Sequence, residues 1–211
     1  MHTDLIRHYD LLIDEGNDPV HDPAHLRAYM DNWDGPVFLK MLELDATKTV
    51  LEIGVGTGRL AIRTAPLCGA FYGIDLSPKT IRQAAENLSH LKNVHLLLGD
   101  FMDMATEQTF DVIYSSLTFM HIQDKQQAIE KAAALLNPGG RFVLSIDKNQ
   151  DPVLDMGTRK ITTFPDTPEA VRACIAAAGL EMTARAETEF AHLFAAAKPF
   201  PNNFQNPKNK Y

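Results

Sequence analysis

Cysteine is scarce in this chain of 211 residues. There are only two, Cys68 and Cys174, and they match no metal-ligand or redox spacing. That excludes a disulfide scaffold and fits two core thiols in a reducing compartment. A basic excess is also missing: the formal net charge is −7. A protein that grips nucleic acid through a broad cationic face is not expected from that balance. No apolar run approaches the roughly 20 residues needed to span a bilayer. The opening stretch, MHTDLIRHYDLLIDEG, lacks a basic region followed by an apolar core, so no secretory leader is expected there. Internal repeats and long low-complexity segments are absent. What remains is ordinary: 45% hydrophobic and 22% charged residues, enough for one sizeable core. A cytoplasmic protein without a membrane or nucleic-acid partner, monomeric or homodimeric, is the expectation.

From about residue 48 two patterns alternate. Apolar, β-rich runs occur at Thr49–Ile53, Ala70–Ile74, Val94–Leu98, Phe110–Tyr114 and Arg141–Ile146, and two more at Leu180–Thr188 and Glu189–Ala197. Helical periodicity separates several of them. Ser77 caps and Pro78 begins one helix, whose Ile81, Ala84, Ala85, Leu88 and Leu91 share a face. Asp124 with Gln127 opens a second, ended by Pro138-Gly139-Gly140. Thr167-Pro168 opens a third, stopped by Gly179. Strands alternating with helices predict a parallel sheet covered on both faces, with ligands bound beyond the carboxyl ends of the strands. The chain divides into residues 1–45, a short-helix cap with Leu5, Tyr9, Leu12 and Ile13 on one face; residues 46–198, the α/β core; and a Pro/Asn-rich tail, 199–211, expected to be disordered. Residues 148–166 read as a loop-rich insertion.

The stretch VLEIGVGTGRL follows the first strand and opens three glycines, Gly54, Gly56 and Gly58. The dinucleotide fingerprint wants its third glycine at position six, but that place holds Arg59. Glu52, two residues before Gly54, would repel a pyrophosphate and attract a cation. The loop reads better for a cofactor with a positive end. Asp75 ends the second strand 21 residues after Gly54, where a carboxylate accepts two hydrogen bonds from a ribose. Its other reading is a share in capping the helix at Pro78.

Glu52-x-Gly54-x-Gly56-x-Gly58 resembles the first motif of the class I S-adenosylmethionine-dependent methyltransferases. Asp75, Gly99-Asp100-Phe101, FDVIYSSLTFMHI and LLNPGGRFVLSI resemble that family's later landmarks in order. The resemblance is carried by residues 48–147 and extends more weakly to 198. It implies a three-layer α/β/α sandwich with a seven-stranded, mostly parallel sheet, order 3-2-1-4-5-7-6, strand seven antiparallel. It implies S-adenosyl-L-methionine as cofactor. Glycines at 54, 56 and 58 would let the backbone approach its amino-acid moiety, with Glu52 ordering that region. Asp75 and Leu76 would meet the ribose; Asp100 would accept from the adenine amino group, with Phe101 and Met102 against the ring. Ser115 would lie at the mouth after the fourth strand. Members that methylate amide or exocyclic amino nitrogens often carry Asn/Asp-Pro-Pro-Tyr/Phe there; this chain has Ser115-Ser116-Leu117-Thr118, which points away from DNA-adenine or glutamine acceptors and toward a small molecule.

Candidates for the chemistry are fewer. Tyr9 opens a Tyr-Asp pair found near the cofactor in small family members, and equally reads as a helix tyrosine. His121, after the fourth strand, is a candidate base or a packing residue. Tyr29 and Trp33 read as acceptor-pocket aromatics or, in preference, as core. Arg159 and Lys160 read as anchors for an acidic substrate group or as solvated charges. His21 and His25 have metal-pair spacing, but Pro23 starts a helix between them, so no metal is expected. Two other classes stay open: a dinucleotide oxidoreductase on a related sheet, and a protein that binds the cofactor without turnover.

Overall fold

Local signals decide most of the elements in the computed structural model, which describes residues 2–201. The expected tail falls, from residue 202 on, outside the described residues. Helices α1 (His2–Asp14), α2 (Ala24–Met30) and α3 (Gly35–Met41) precede strand β1 (Thr49–Ile53). Then follow α4 (Ala61–Thr64), β2 (Ala70–Asp75), α5 (Pro78–Asn87), β3 (Val94–Leu98), β4 (Phe110–Ser116), α6 (Lys125–Leu135) and β5 (Leu136–Asp147). A hairpin, β6 (Val153–Asp155) and β7 (Lys160–Thr162), leads to α7 (Pro168–Ala177), β8 (Glu181–Glu187) and β9 (Ala191–Ala197).

The caps act as their residue types require. Ser77 accepts from the Thr80 N–H at 3.0 Å, Asp124 from Gln127 at 2.9 Å and Thr167 from Ala170 at 3.2 Å. Gly179, at φ +74°, ends α7 in the left-handed region. Two expectations are corrected. The helix after Asp124 stops at Leu135, and β5 begins before the Pro-Gly-Gly turn rather than after it. Lys198 explains this: it accepts from the Gly139 N–H and donates to the Gly140 carbonyl, both at 2.8 Å, which draws the turn into the sheet. The insertion at 148–166 is not merely loop; it contains the β6–β7 hairpin.

The seven-stranded sheet has the order β3-β2-β1-β4-β5-β9-β8. Its first five strands pair in parallel, while β9 runs antiparallel to both β5 and β8. With the hairpin strands set aside, this is the expected order. Side-chain alternation feeds two cores. On one face Leu51, Ile113, Phe142 and Leu144 pack with Ile129 of α6 and Val171 of α7. On the other, Val50, Val112, Tyr114 and Val143 pack with Phe38 of α3 and Leu88, just past α5. Phe38 and Leu42 are fully buried, so α3 packs as part of the second core, against the sheet rather than above it. The carboxyl ends of β1, β2, β3 and β4 are left to converge under α1.

Candidate functional site

The loop after β1 turns back over the sheet because its glycines adopt conformations closed to other residues. Gly54 (φ +78°) and Val55 donate to the Ile74 carbonyl at 2.9 and 3.1 Å. A Cβ on Gly54 would lie 1.9 Å from Thr118 Oγ1, so close packing against the chain beyond β4 requires this glycine. A Cβ on Gly56 (φ +56°) would meet nothing within 4 Å; the loop there faces open space. Gly58 turns its α-carbon toward Leu88 instead, 3.1 Å from a built Cβ.

That open space is a cavity of about 810 Å³, at the upper end of the 300–1,000 Å³ common for ligand pockets. Of the residues expected to bind cofactor, Glu52, Gly54, Gly56, Asp75, Leu76, Asp100, Phe101 and Met102 line it. Gly58 and Ser115 do not. Ser115 is fully buried and donates to the Ile53 carbonyl at 2.8 Å, because strand alternation turns it off the mouth. Its neighbours Ser116, Leu117 and Thr118 reach the cavity. Leu117 sits at φ +57°, a strained position for a branched side chain.

Glu52 is 3% exposed and accepts from the Tyr114 hydroxyl at 2.9 Å. Burial pushes its carboxyl up to about 8 despite that bond and the Arg59 charge. Asp75 holds two loop amides, Gly56 N–H on Oδ2 and Ser77 N–H on Oδ1, each at 3.0 Å. Burial raises it too, against the pull of those N–H groups. Both earlier readings of Asp75 are therefore compatible: it supports the start of α5 and still presents lone pairs to the cavity. Asp100 accepts from the Met102 N–H at 2.8 Å. Phe101 is 4% exposed, with the Lys131 ammonium 5.4 Å from its ring centroid.

The sequence gives no sign of the pair behind the loop. Asp34, 1% exposed, caps α3 by accepting from Gly35 N–H at 2.6 Å. It also takes both Arg59 amino groups, at 3.0 and 2.5 Å, and the Ser116 hydroxyl at 2.8 Å. Burial alone would push its carboxyl up; the Arg59 bonds and charge, with Gly35 and Ser116, outweigh burial and hold it below its ordinary value. Arg59 lies in the glycine loop just before α4, and its partner lies 25 residues earlier.

Helix α1 roofs the cavity with Leu5, Tyr9, Leu12 and Ile13. Asp10 fastens it by accepting from Ser77 Oγ at 2.7 Å and Lys79 N–H at 3.1 Å, and Asp14 pairs with Lys79 at 2.5 Å. Tyr9 and His121, proposed separately as chemical candidates, meet: the Tyr9 hydroxyl is 2.7 Å from His121 Nε2. Burial raises the Tyr9 phenol, with Asp75 adding to the rise. Burial lowers His121 to about 4, helped by the charges of His8 and Lys125. Both groups are neutral at pH 7. Arg159 joins the hairpin to α1: its guanidinium donates to both Glu15 oxygens at 2.6 and 2.7 Å and to His8 Nδ1 at 2.8 Å. It is thus an internal clasp, while Lys160 lines the cavity and pairs with Asp155 at 3.2 Å. Tyr29 meets Trp33 and Phe190 edge-on, and Trp33 lies tilted against Phe190, all off the cavity wall; Trp33 Nε1 donates to Asp147 at 2.9 Å, and Tyr29, expected in the core, is 51% exposed. His21 precedes α2 and sits 3.1 Å from Asn87 Oδ1.

Charge on the wall is lopsided. Asp4, Asp75, Asp100, Asp103 and Asp124, with a Glu52 that burial keeps protonated at pH 7, face only Arg59 and Lys160. A cationic ligand suits such a cavity and a pyrophosphate does not. The residues therefore fit a sulfonium cofactor: carboxylates around the space, and an open α-carbon at Gly56 where a side chain would intrude.

A sheet of this order, with a glycine loop after β1 and a carboxylate ending β2, has the class I S-adenosylmethionine-dependent methyltransferase fold. The family model described as a methyltransferase domain matches residues 44–195, and the chain belongs to that family. An uncharacterized methyltransferase of Anoxybacillus flavithermus is 34% identical over 126 residues, 58% of each chain. Another, from Geobacillus kaustophilus, is 38% identical over 103 residues, 47% of each. The match thus spans about half the length of these curated relatives. Among solved structures, the magnesium protoporphyrin IX methyltransferase of Synechocystis with bound S-adenosylmethionine aligns at TM-score 0.73 and 15% identity, over 93% of this chain and 96% of that one. The N-methyltransferase NodS of Bradyrhizobium japonicum, complexed with S-adenosyl-L-homocysteine, aligns at 0.68 and 22%, over 90% and 98%. At these identities the likeness is one of fold.

Proposed function

We propose that this protein transfers the methyl group of S-adenosylmethionine to a small-molecule acceptor. The observation that carries the reading is the carboxylate-rich cavity at the ends of β1–β4, opened by Gly56. Glu52 and the loop at Gly54 and Gly56 hold the amino-acid end, Asp75 and Leu76 the ribose, and Asp100, Phe101 and Met102 the adenine. Gly58 and Ser115 act from behind, by packing on Leu88 and fixing β4 to β1. When bound, the cofactor supplies an electrophilic methyl on a cationic sulfur. The chain contributes position and dryness: α1 and the hairpin cover the space, and alignment of reactants in a closed site accounts for much of such a rate. Coverage by α1 also favours a small acceptor over a polymer, as does the net charge. A dinucleotide reading is opposed by the five Asp carboxyl groups on the wall. No helix among the described residues is long and apolar enough to cross a membrane.

Isothermal titration tests this. S-adenosylhomocysteine is expected to bind, and Asp75→Ala to weaken it by about 1–3 kcal/mol, the range for lost buried hydrogen bonds. Binding of NAD(H) with none of S-adenosylhomocysteine would overturn the proposal; unchanged binding in the variant would overturn the ribose assignment.

A further inference from the structure

Resting on the methyltransferase reading, we propose that the acceptor is an amine carried on an apolar body. Three observations converge on it. Assigning Glu52, Asp75 and Asp100 to the methyl donor leaves Asp4, Asp103 and Asp124 on the cavity wall, all exposed at its rim. Of the two wall cations, Arg59 is held by buried Asp34, and the exposed Lys160, 3.2 Å from Asp155, faces three rim carboxylates as the single remaining positive charge. The rim field therefore draws in cations and repels carboxylates. Inside, Leu5, Ile13, Met30, Met120 and Phe164 give the wall a large apolar share, interrupted by polar side chains such as Thr118 and Gln123. An ammonium drawn to the rim passes its proton to bulk water there before it enters, because desolvation favours the neutral amine.

The proton ledger of the reaction separates amines from hydroxyls. In transfer to an amine, the nitrogen lone pair forms the C–N bond. The C–S bond breaks with its pair left on sulfur, and the positive charge passes from sulfur to nitrogen. The transfer step itself consumes no base, because the amine has already given its proton to solvent at the rim, and the product ammonium faces the same carboxylates. Transfer to a hydroxyl must also deliver a proton to a base. His121 is the imidazole on the cavity wall, and the groups facing it are Tyr9 and His8 of α1 and Lys125 of α6. Its value of about 4 makes it a poor proton acceptor at neutral pH. What the neutral Tyr9–His121 pair offers is a hydrogen-bond acceptor, the Tyr9 oxygen, which can orient an amine N–H.

Calorimetry on protein preloaded with S-adenosylhomocysteine provides the test. Failure of that preloading sinks the methyltransferase reading itself, before any acceptor is added. With preloading achieved, benzylamine is expected to bind at least about tenfold more tightly than benzyl alcohol at low salt, with benzoate weaker than both. Neutralising Asp4, Asp103 and Asp124 together to Asn is expected to erase the amine preference and leave the alcohol's affinity in place. Equal or tighter binding of the alcohol or the acid overturns the amine assignment. With radiolabelled methyl donor, benzylamine and naphthylmethylamine are expected to accept methyl and their alcohols not. The rate should follow each amine's own pKa, and His121→Gln should lower its level without changing the shape of the profile. Transfer to the alcohols instead of the amines, or a pH limb removed by His121→Gln, also overturns the proposal.

Discussion

Replacing Asp34 by alanine tests whether the fold depends on the ion pair behind the glycine loop. The carboxylate serves four donors at once: two Arg59 amino groups, the Ser116 hydroxyl and the Gly35 amide. It is 1% exposed, and the Arg59 side chain is 16% exposed. Removing one partner of a buried pair leaves the other charge uncompensated, at a typical cost of about 3–5 kcal/mol. Glu52 tempers this. Asp34 raises its pKa and Arg59 lowers it, so the variant favours an ionised Glu52 that partly shields Arg59. The expected loss is therefore at the lower end, about 3 kcal/mol, a large share of the roughly 5–15 kcal/mol of a natural domain. Urea denaturation followed through the single tryptophan, Trp33, measures it. In a double-mutant cycle, Asp34→Ala and Arg59→Ala together should cost about 2 kcal/mol less than their sum. A loss below about 1 kcal/mol would class the pair with exposed ion pairs and refute the reasoning. The pH dependence has a definite sign. Because the folded carboxyl lies below its ordinary value of 3.8, its stabilisation is present above 3.8 and fades as pH falls through the lower folded value.

Glu52 predicts the opposite sign. Its folded value of about 8 lies above the ordinary 4.5, so its contribution to stability falls as pH rises from 4.5 toward 8. The ammonium of the ligand's amino-acid end beside it expels the proton; S-adenosylhomocysteine, which carries that ammonium, should release up to about one proton on binding at pH 7, read from titrations in buffers of different ionisation enthalpy, and its affinity should rise between pH 6 and 8. No proton release would mean that Glu52 does not meet the ligand's charge. The glycines should also differ. Gly54→Ala places a methyl 1.9 Å from Thr118 and should cost more than about 2 kcal/mol of stability. Gly56→Ala meets no neighbour, so it should cost about 1 kcal/mol of stability from its positive φ while impairing cofactor binding strongly. Similar thermal melts for the two variants would contradict the geometry.

Strands and caps were legible because they depend on nearby residues. Ser77-Pro78 and Thr167-Pro168 open their helices as written, and β1 and β3 span the expected residues. The extent of β5 was not legible, since it is settled by Lys198, far along the chain. The β6–β7 hairpin escaped notice because each strand has three residues, too few to show alternation. At the site, spacing pointed to Glu52 and Asp75, and the family resemblance to Asp100, and all three line the cavity. It did not give the parity of Ser115 against Ser116, which depends on which face of β4 meets the core. The Asp34–Arg59 pair and the Tyr9–His121 contact link residues 25 and 112 positions apart, and nothing local announces them.

The bonds that hold α1 also fix when it can fold. Its partners Ser77 and Lys79 lie 65 to 69 residues downstream, His121 lies 112 and Arg159 as many as 151. On a ribosome, where the chain emerges at roughly 5–20 residues per second, this helix appears long before any of them. Until those partners are made, its polar contacts have nothing to close on. The roof of the cavity is thus tied to segments made after it, and its order depends on the scaffold beneath it.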